Sequence, residues 1–158
     1  MYDFFIKFIA DYLVVIIVVV GGLYVLIRTP KQDRYQRLLR VFMMGLTALL
    51  LARLTTLVFH PDETRPFIAE GKSALAAYLN NPGFPSDHML FVTTITAAVW
   101  VATKRMAMSL TLLLLSLVVG VGRVLALVHT PLDIVGGFVI ACIAVLIWYP
   151  SELFRKEA

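Results

Sequence analysis

The chain has 158 residues, 60% of them hydrophobic and only 15% charged, with a mean hydropathy of +0.88. Such a composition excludes an ordinary soluble domain, and several long runs nearly free of charge predict an integral membrane protein. The formal charge of +4 does not point to nucleic acid, because the basic residues sit in short clusters between apolar runs rather than along a stripe with interleaved aromatics.

The first predicted span runs from Tyr12 to Ile27 and draws in Phe4 to Ile9, which brings it to the roughly 20 residues a bilayer core requires. Asp3, Lys7 and Asp11 stand where a signal peptide would carry a basic region, so this run is expected to persist as a membrane helix. Gly21 and Gly22 within it are expected to allow close helix packing. Arg28 to Arg40, interrupted by Pro30, reads as a short basic loop. The second span, Leu38 to Phe59, contains Arg53, whose depth costs at least about 2.5 kcal/mol unless it meets a partner or snorkels. His60 to Asp87 is the longest polar segment, with turn signals at His60-Pro61-Asp62 and Asn80-Asn81-Pro82-Gly83. Inside it, Phe67 to Leu79 is weakly amphipathic and predicts a short surface helix.

The third span starts at Pro85-Ser86-Asp87-His88 and runs to about Ala102, with Trp100 near the interface and Lys104-Arg105 beyond it. The fourth covers Met106 to Leu127 and carries Arg123 in its last turns. The fifth runs from Leu132 to Tyr149. Cys142, the one cysteine, lies inside it; an intrachain disulfide is excluded, and inert packing is the expected role. The expected fold is therefore all-α: a polytopic membrane bundle of about five helices, with residues 1–158 forming a single integral membrane domain.

Orientation follows from charge. The cluster Arg28, Lys31, Arg34, Arg37 and Arg40, the pair Lys104-Arg105, and Arg155 and Lys156 all fall on one side of a five-span layout, nine of the fourteen Lys and Arg residues. That side is expected to be cytoplasmic, and the C-terminus with it. Arg65, His88, Arg123, His129 and Asp133 then gather on the extracytoplasmic face.

Arg123, His129 and Asp133 are the residue types a phosphate-transfer site needs. His129 and Asp133 are four apart, so on a helix they share a face within reach of a carboxylate–imidazole hydrogen bond, which would leave the other ring nitrogen free to attack phosphorus. A guanidinium a few residues upstream can grip phosphoryl oxygens as a fork. Thr130, Pro131 and Asp133 equally spell a helix start, with an N-cap, a proline at the first position and an acid at the third. Ser86 and Asp87 are likewise ordinary capping residues, Arg65 a plausible solvated loop charge, Arg123 a plausible snorkelling arginine, and His88 or His60 a plausible interfacial histidine. The spacing alone leaves these readings open.

Three segments together resemble the type 2 phosphatidic acid phosphatase superfamily of membrane lipid phosphatases. Arg65-Pro66 matches the end of its first segment. Pro85-Ser86-Asp87-His88 matches the second, with Asp where Gly is usual, a variant similar to the bacitracin-resistance type of undecaprenyl-diphosphate phosphatase. Arg123, His129 and Asp133 match the third. Gly122 stands where the family usually has Ser, and Val58 where it has Lys; Arg53 is the expected substitute cation, with His60 as competitor. The resemblance implies His129 as nucleophile forming a phosphohistidine, Asp133 as its orienting partner and His88 as general acid, with Arg65, Ser86, Arg123 and Arg53 binding phosphate. No metal or cofactor is required by that scheme. It further implies a lipid phosphate substrate in the plasma membrane, with undecaprenyl diphosphate hydrolysed at the outer face for carrier-lipid recycling in cell-wall synthesis and a link to bacitracin resistance. Phosphatidate or phosphatidylglycerophosphate hydrolysis is the alternative, and a non-catalytic lipid-binding or transport protein the alternative of another class.

Overall fold

The computed structural model describes residues 1–59 and 64–149, and its regular structure there is helical throughout. His60, Arg155 and Lys156 lie outside the described residues. The elements are α1 (Tyr2–Lys7), a π-helical turn (Phe8–Tyr12), α2 (Leu13–Arg28), α3 (Arg34–Val58), α4 (Pro66–Ala69), α5 (Asp87–Thr103), α6 (Met106–Leu125) and α7 (Pro131–Trp148). The first three join into one rod of 27 residues, Tyr2–Arg28.

This rod, α3, α6 and α7 are each long and apolar enough to cross a membrane, whereas α5, with 17 residues, is shorter. At a rise of about 1.5 Å per residue, α5 spans about 25 Å, a little less than a bilayer core. It can be short because it is central: α5 packs against α2, α3, α6 and α7. Met89, Val92, Val99 and Ala102 of α5 form the middle of the core with Ile17, Met44, Leu112 and Val119. The outer faces carry Val15, Val19 and Leu23 on α2, Leu110, Leu114 and Leu117 on α6, and Val139, Ile143 and Leu146 on α7, all exposed. Apolar belts of this extent are stable only against lipid, so the protein is a multi-pass membrane protein.

Three local expectations change. The basic loop is shorter than the sequence suggests, because α3 starts at Arg34 and so includes Arg34, Arg37 and Arg40. Arg34 donates to Leu26 O at 2.5 Å and Arg37 to Ala102 O at 3.4 Å, so these side chains serve the last carbonyls of α2 and α5. Second, Gly21 does permit close packing, since a Cβ there would lie 2.9 Å from Ile95, but Gly22 has nothing within 4 Å. Third, the predicted surface helix is the single turn α4, after which Gly71 adopts φ +63 and the chain continues without helix to Leu79. Its backbone bonds elsewhere: Phe67 N–H donates to Leu127 O at 3.0 Å and Leu75 N–H to Ala126 O at 3.3 Å. Phe67 and Ala76 are thereby buried with Ala126, Val128, Ile6 and Ala10, forming an apolar roof over one end of the bundle.

Candidate active site

The site is built where two helices begin. α6 ends at Leu125, two residues before the expected end, and Leu127 then takes φ +60. That left-handed step, which costs a non-glycine residue about 1–2 kcal/mol, turns the chain so that Val128 and His129 are buried before α7 starts. Thr130 caps α7 with its hydroxyl accepting from Asp133 N–H at 3.2 Å, and Asp133 Oδ2 accepts from Thr130 N–H at 2.8 Å. The same carboxylate oxygen lies 3.3 Å from His129 Nδ1. The helix-start and histidine-orienting readings are thus both realised, by one oxygen with two donors. Because a carboxylate only accepts, Nδ1 carries the proton and Nε2 presents its lone pair. Burial pushes the His129 pKa below the ordinary histidine value, opposed by the hydrogen bond to Asp133, so the ring is neutral at pH 7.

The start of α5 is seated against the start of α7. Ser86 caps α5 with its Oγ accepting from Met89 N–H at 3.4 Å, and its own N–H donates to Asp133 O at 3.0 Å. Glycines make the approach possible. A Cβ on Gly137 would lie 2.6 Å from Ser86 O, one on Gly136 would collide with the Phe84 ring, and one on Gly83 would lie 3.2 Å from Asp133 Oδ2. Two helix N-termini, each the positive end of its dipole, therefore face the same small volume.

Arg65 and Arg123 are both buried there. Arg65 Nη1 donates to Val128 O at 2.6 Å, and Nη2 reaches Leu79 O, Asn81 O and Asn81 Oδ1 at 3.0, 3.2 and 2.9 Å. It is a brace between the polar segment and the residue before His129, not a solvated loop charge. Its burial lowers its pKa, opposed by the nearby Asp133 carboxylate. Arg123, only 1% exposed, donates from Nη1 to Asp11 Oδ1 at 2.9 Å. It is not a snorkelling arginine.

Arg65, Asp87, His88, Arg123 and His129 line one cavity of about 30 Å³ together with Asn81, Gly83 and Pro85. It suits a small oxyanion and excludes a lipid chain. Asp133 stands behind His129. Ser86 is fully buried in its capping role and does not line the cavity. Nor does Arg53, which is half exposed and reaches Asp87 Oδ2 at 3.4 Å across the α3–α5 contact. Cys142 lines a separate apolar cavity of about 380 Å³ between α5, α6 and α7. Sequence reasoning did not assign Asn81, read as part of a turn, the glycine pair Gly136-Gly137, or Asp11 to the site. The only available signals were a glycine pair and a lone acid inside apolar runs.

Comparison with known proteins identifies the family. The family model of the PAP2 superfamily matches residues 36–157. The chain is also 30% identical over 112 residues to undecaprenyl-diphosphatase BcrC of Bacillus subtilis (strain 168), a match covering 70% of this chain and 56% of that relative, less than two thirds of its length. No solved structure matches the chain.

Proposed function

The chain belongs to the PAP2 superfamily, and from that premise we propose that it is a lipid phosphatase removing the terminal phosphate of undecaprenyl diphosphate. His129 Nε2 attacks the terminal phosphorus in line, and the bond from phosphorus to the bridging oxygen breaks as His88 protonates that oxygen. Undecaprenyl phosphate leaves, and phosphorus remains on His129. His88, now the base, takes a proton from water, whose oxygen displaces His129 and releases inorganic phosphate. Arg65 and Arg123, with the N-termini of α5 and α7, bear the charge on the equatorial oxygens. Asp133 fixes the nucleophile's tautomer and stabilises the ring as it becomes cationic. No step is routed through a metal.

The observation that carries this reading is the convergence of Arg65, His88, Arg123 and His129, from three separate segments, on one small cavity in a membrane bundle. The relative's printed activity supports the choice of substrate. The test is phosphate release by detergent-purified protein from undecaprenyl diphosphate, phosphatidate and phosphatidylglycerophosphate, with and without EDTA. Greatest kcat/KM on the diphosphate, unchanged by EDTA, is expected. A preference for phosphatidylglycerophosphate would reassign the substrate, and absence of turnover on all three would sink the reading.

The site on this reading faces outward, with the basic end of the bundle in the cytoplasm. In a Cys142→Ser background, cysteines introduced at the exposed positions Thr64 and Lys72 should react in whole cells with a membrane-impermeant maleimide, and one at Gln36 should not. The reverse pattern would invert the topology.

A further inference from the structure

We infer that Asp11 is a positioning residue of the phosphate site: from the π-helical turn of the first membrane helix it holds Arg123 by one nitrogen and turns the rest of the guanidinium toward the cavity. This deepens the phosphatase reading and rests on it for the identity of the anion. Asp11 Oδ1 accepts from Arg123 Nη1 at 2.9 Å, and Asp11 Oδ2 accepts from Ala77 N–H at 3.0 Å. Each oxygen of the carboxylate therefore has its own donor. A guanidinium is a rigid plane, and with Nη1 engaged the edge left over is the one formed by Nε and Nη2. That edge is the fork that takes two phosphoryl oxygens at once. Arg123 lines the cavity with His88 and His129, and its Nε is buried with no hydrogen-bond partner among the described residues. Leaving such a donor unmatched costs about 1–3 kcal/mol unless a ligand completes it.

The neighbouring residue explains how a helix this far away in sequence comes so close. A Cβ at Gly122 would lie 2.5 Å from Ile9 Cγ2 and 3.2 Å from the Ala10 backbone nitrogen. Any side chain there, including the serine usual at this position, would push the Phe8–Tyr12 turn away and Asp11 with it. The widened π-helical turn sets Asp11 onto Arg123 while Ala10 stays in the apolar roof. The missing hydroxyl of Gly122 and the Asp11 contact are consequently one arrangement: a phosphate donor is absent, and the adjacent guanidinium is fixed instead. Asp11 also matches the charge of Arg123 when no phosphate is bound, which a guanidinium buried in a membrane protein requires.

The test uses orthovanadate as the probe, so that it does not depend on turnover. Detergent-purified wild type, Asp11→Asn and Asp11→Ala are titrated with orthovanadate and assayed in parallel on undecaprenyl diphosphate. Asparagine keeps the size but offers one oxygen to two donors. Orthovanadate affinity is expected to fall about tenfold in Asp11→Asn and up to about a hundredfold in Asp11→Ala, the usual range for a supporting contact one step from a site. In an Arg123→Ala background, Asp11→Asn should add nothing, since the two act as one unit. A lower melting temperature with unchanged orthovanadate affinity would mean a purely structural role and overturn the inference, as would additive losses in the double variant. Should Asp11→Ala fail to fold, Asp11→Asn decides the matter alone. Orthovanadate binding that depends on Asp11, in protein that hydrolyses no lipid phosphate, would sink the proposed function and leave the inference standing.

Discussion

The two ends of the bundle treat the same residue types in opposite ways, and α5 runs through both. At its C-terminal end Lys104, at φ +56, closes the helix and lies over the stacked rings of Trp100 and Tyr149, while Arg37 reaches the Ala102 carbonyl. Cations there meet the negative ends of helix dipoles and stay partly solvated, an arrangement worth about 0.3–1 kcal/mol per contact. At its N-terminal end Ser86 caps the helix, His88 follows, and Arg65 and Arg123 are buried. Here two cations are buried beside the N-termini of α5 and α7, and each is held by specific acceptors: four oxygens for Arg65, and Asp11 for Arg123, which itself sits in the last turn of α6. Two guanidinium groups buried on fixed acceptors beside one small cavity are what an anion site needs before its anion arrives. On the proposed function the first end anchors the chain and the second carries the chemistry.

The comparison breaks most visibly if the N-terminal end is removed. His129→Ala and His88→Ala should each abolish turnover, with elution profile and helicity unchanged, because both side chains face the cavity rather than the core. Asp133→Asn should retain a residue of activity, since an amide can orient the ring while failing to stabilise its cation; a loss of about 10²- to 10⁴-fold is expected. Wild-type kinetics for Asp133→Asn would remove the orienting role, and aggregation of the histidine variants would remove the distinction between cavity and core.

A smaller effect is expected at the rim, from Arg53 and Asp87. The sequence suggested Arg53 as the substitute for a lysine missing at Val58, and the pair it makes with Asp87 Oδ2 offers a more specific reading. Asp87 lines the cavity and would repel a phosphate; Arg53 offsets it. An exposed ion pair of this kind is worth up to about 1 kcal/mol, so Arg53→Ala should lower kcat/KM by up to about fivefold. In an Asp87→Gly background the same substitution should cost nothing. A loss that persists in that background would mean that Arg53 touches phosphate directly.

How much of this was legible beforehand depends on the range of the interactions. The membrane helices were, because a run of apolar residues specifies its own environment. His129 and Asp133 were, because they are only four residues apart, although the contact runs from the residue before the Thr130 cap to the first turn of α7 rather than along a helix. The brace made by Arg65 was not, since three of its four acceptors are backbone carbonyls, of Val128, Leu79 and Asn81, and backbone oxygens carry no sequence signature. Asp11 pairs with a residue 112 positions away, and a lone acid near the end of a span reads equally well as interfacial. The stretch from Phe67 to Leu79 failed as a helix for a related reason. Its amphipathic pattern is real, but the N–H groups of Phe67, Leu75 and Ala77 donate to Leu127, Ala126 and Asp11 rather than along a helix.

The smallest effect belongs to the anchoring end. Arg37 donates to Ala102 O at 3.4 Å and lies 3.7 Å from Asp33, with its side chain 20% exposed. Both contacts are long, and water or lipid headgroups can replace them. Arg37→Ala should therefore lose only the dipole contact, about 0.3–1 kcal/mol, and lower the melting temperature by about 1–4 °C at this chain length. kcat/KM should stay within about twofold of wild type, because nothing Arg37 touches belongs to the cavity. Arg123→Ala is the matched control: the same residue type at the other end of the bundle, whose loss should weaken orthovanadate binding and turnover together. If Arg37→Ala lowered turnover as Arg123→Ala does while the protein stayed folded, α5 would be transmitting the state of one end to the other, and the separation of anchoring from chemistry would not hold.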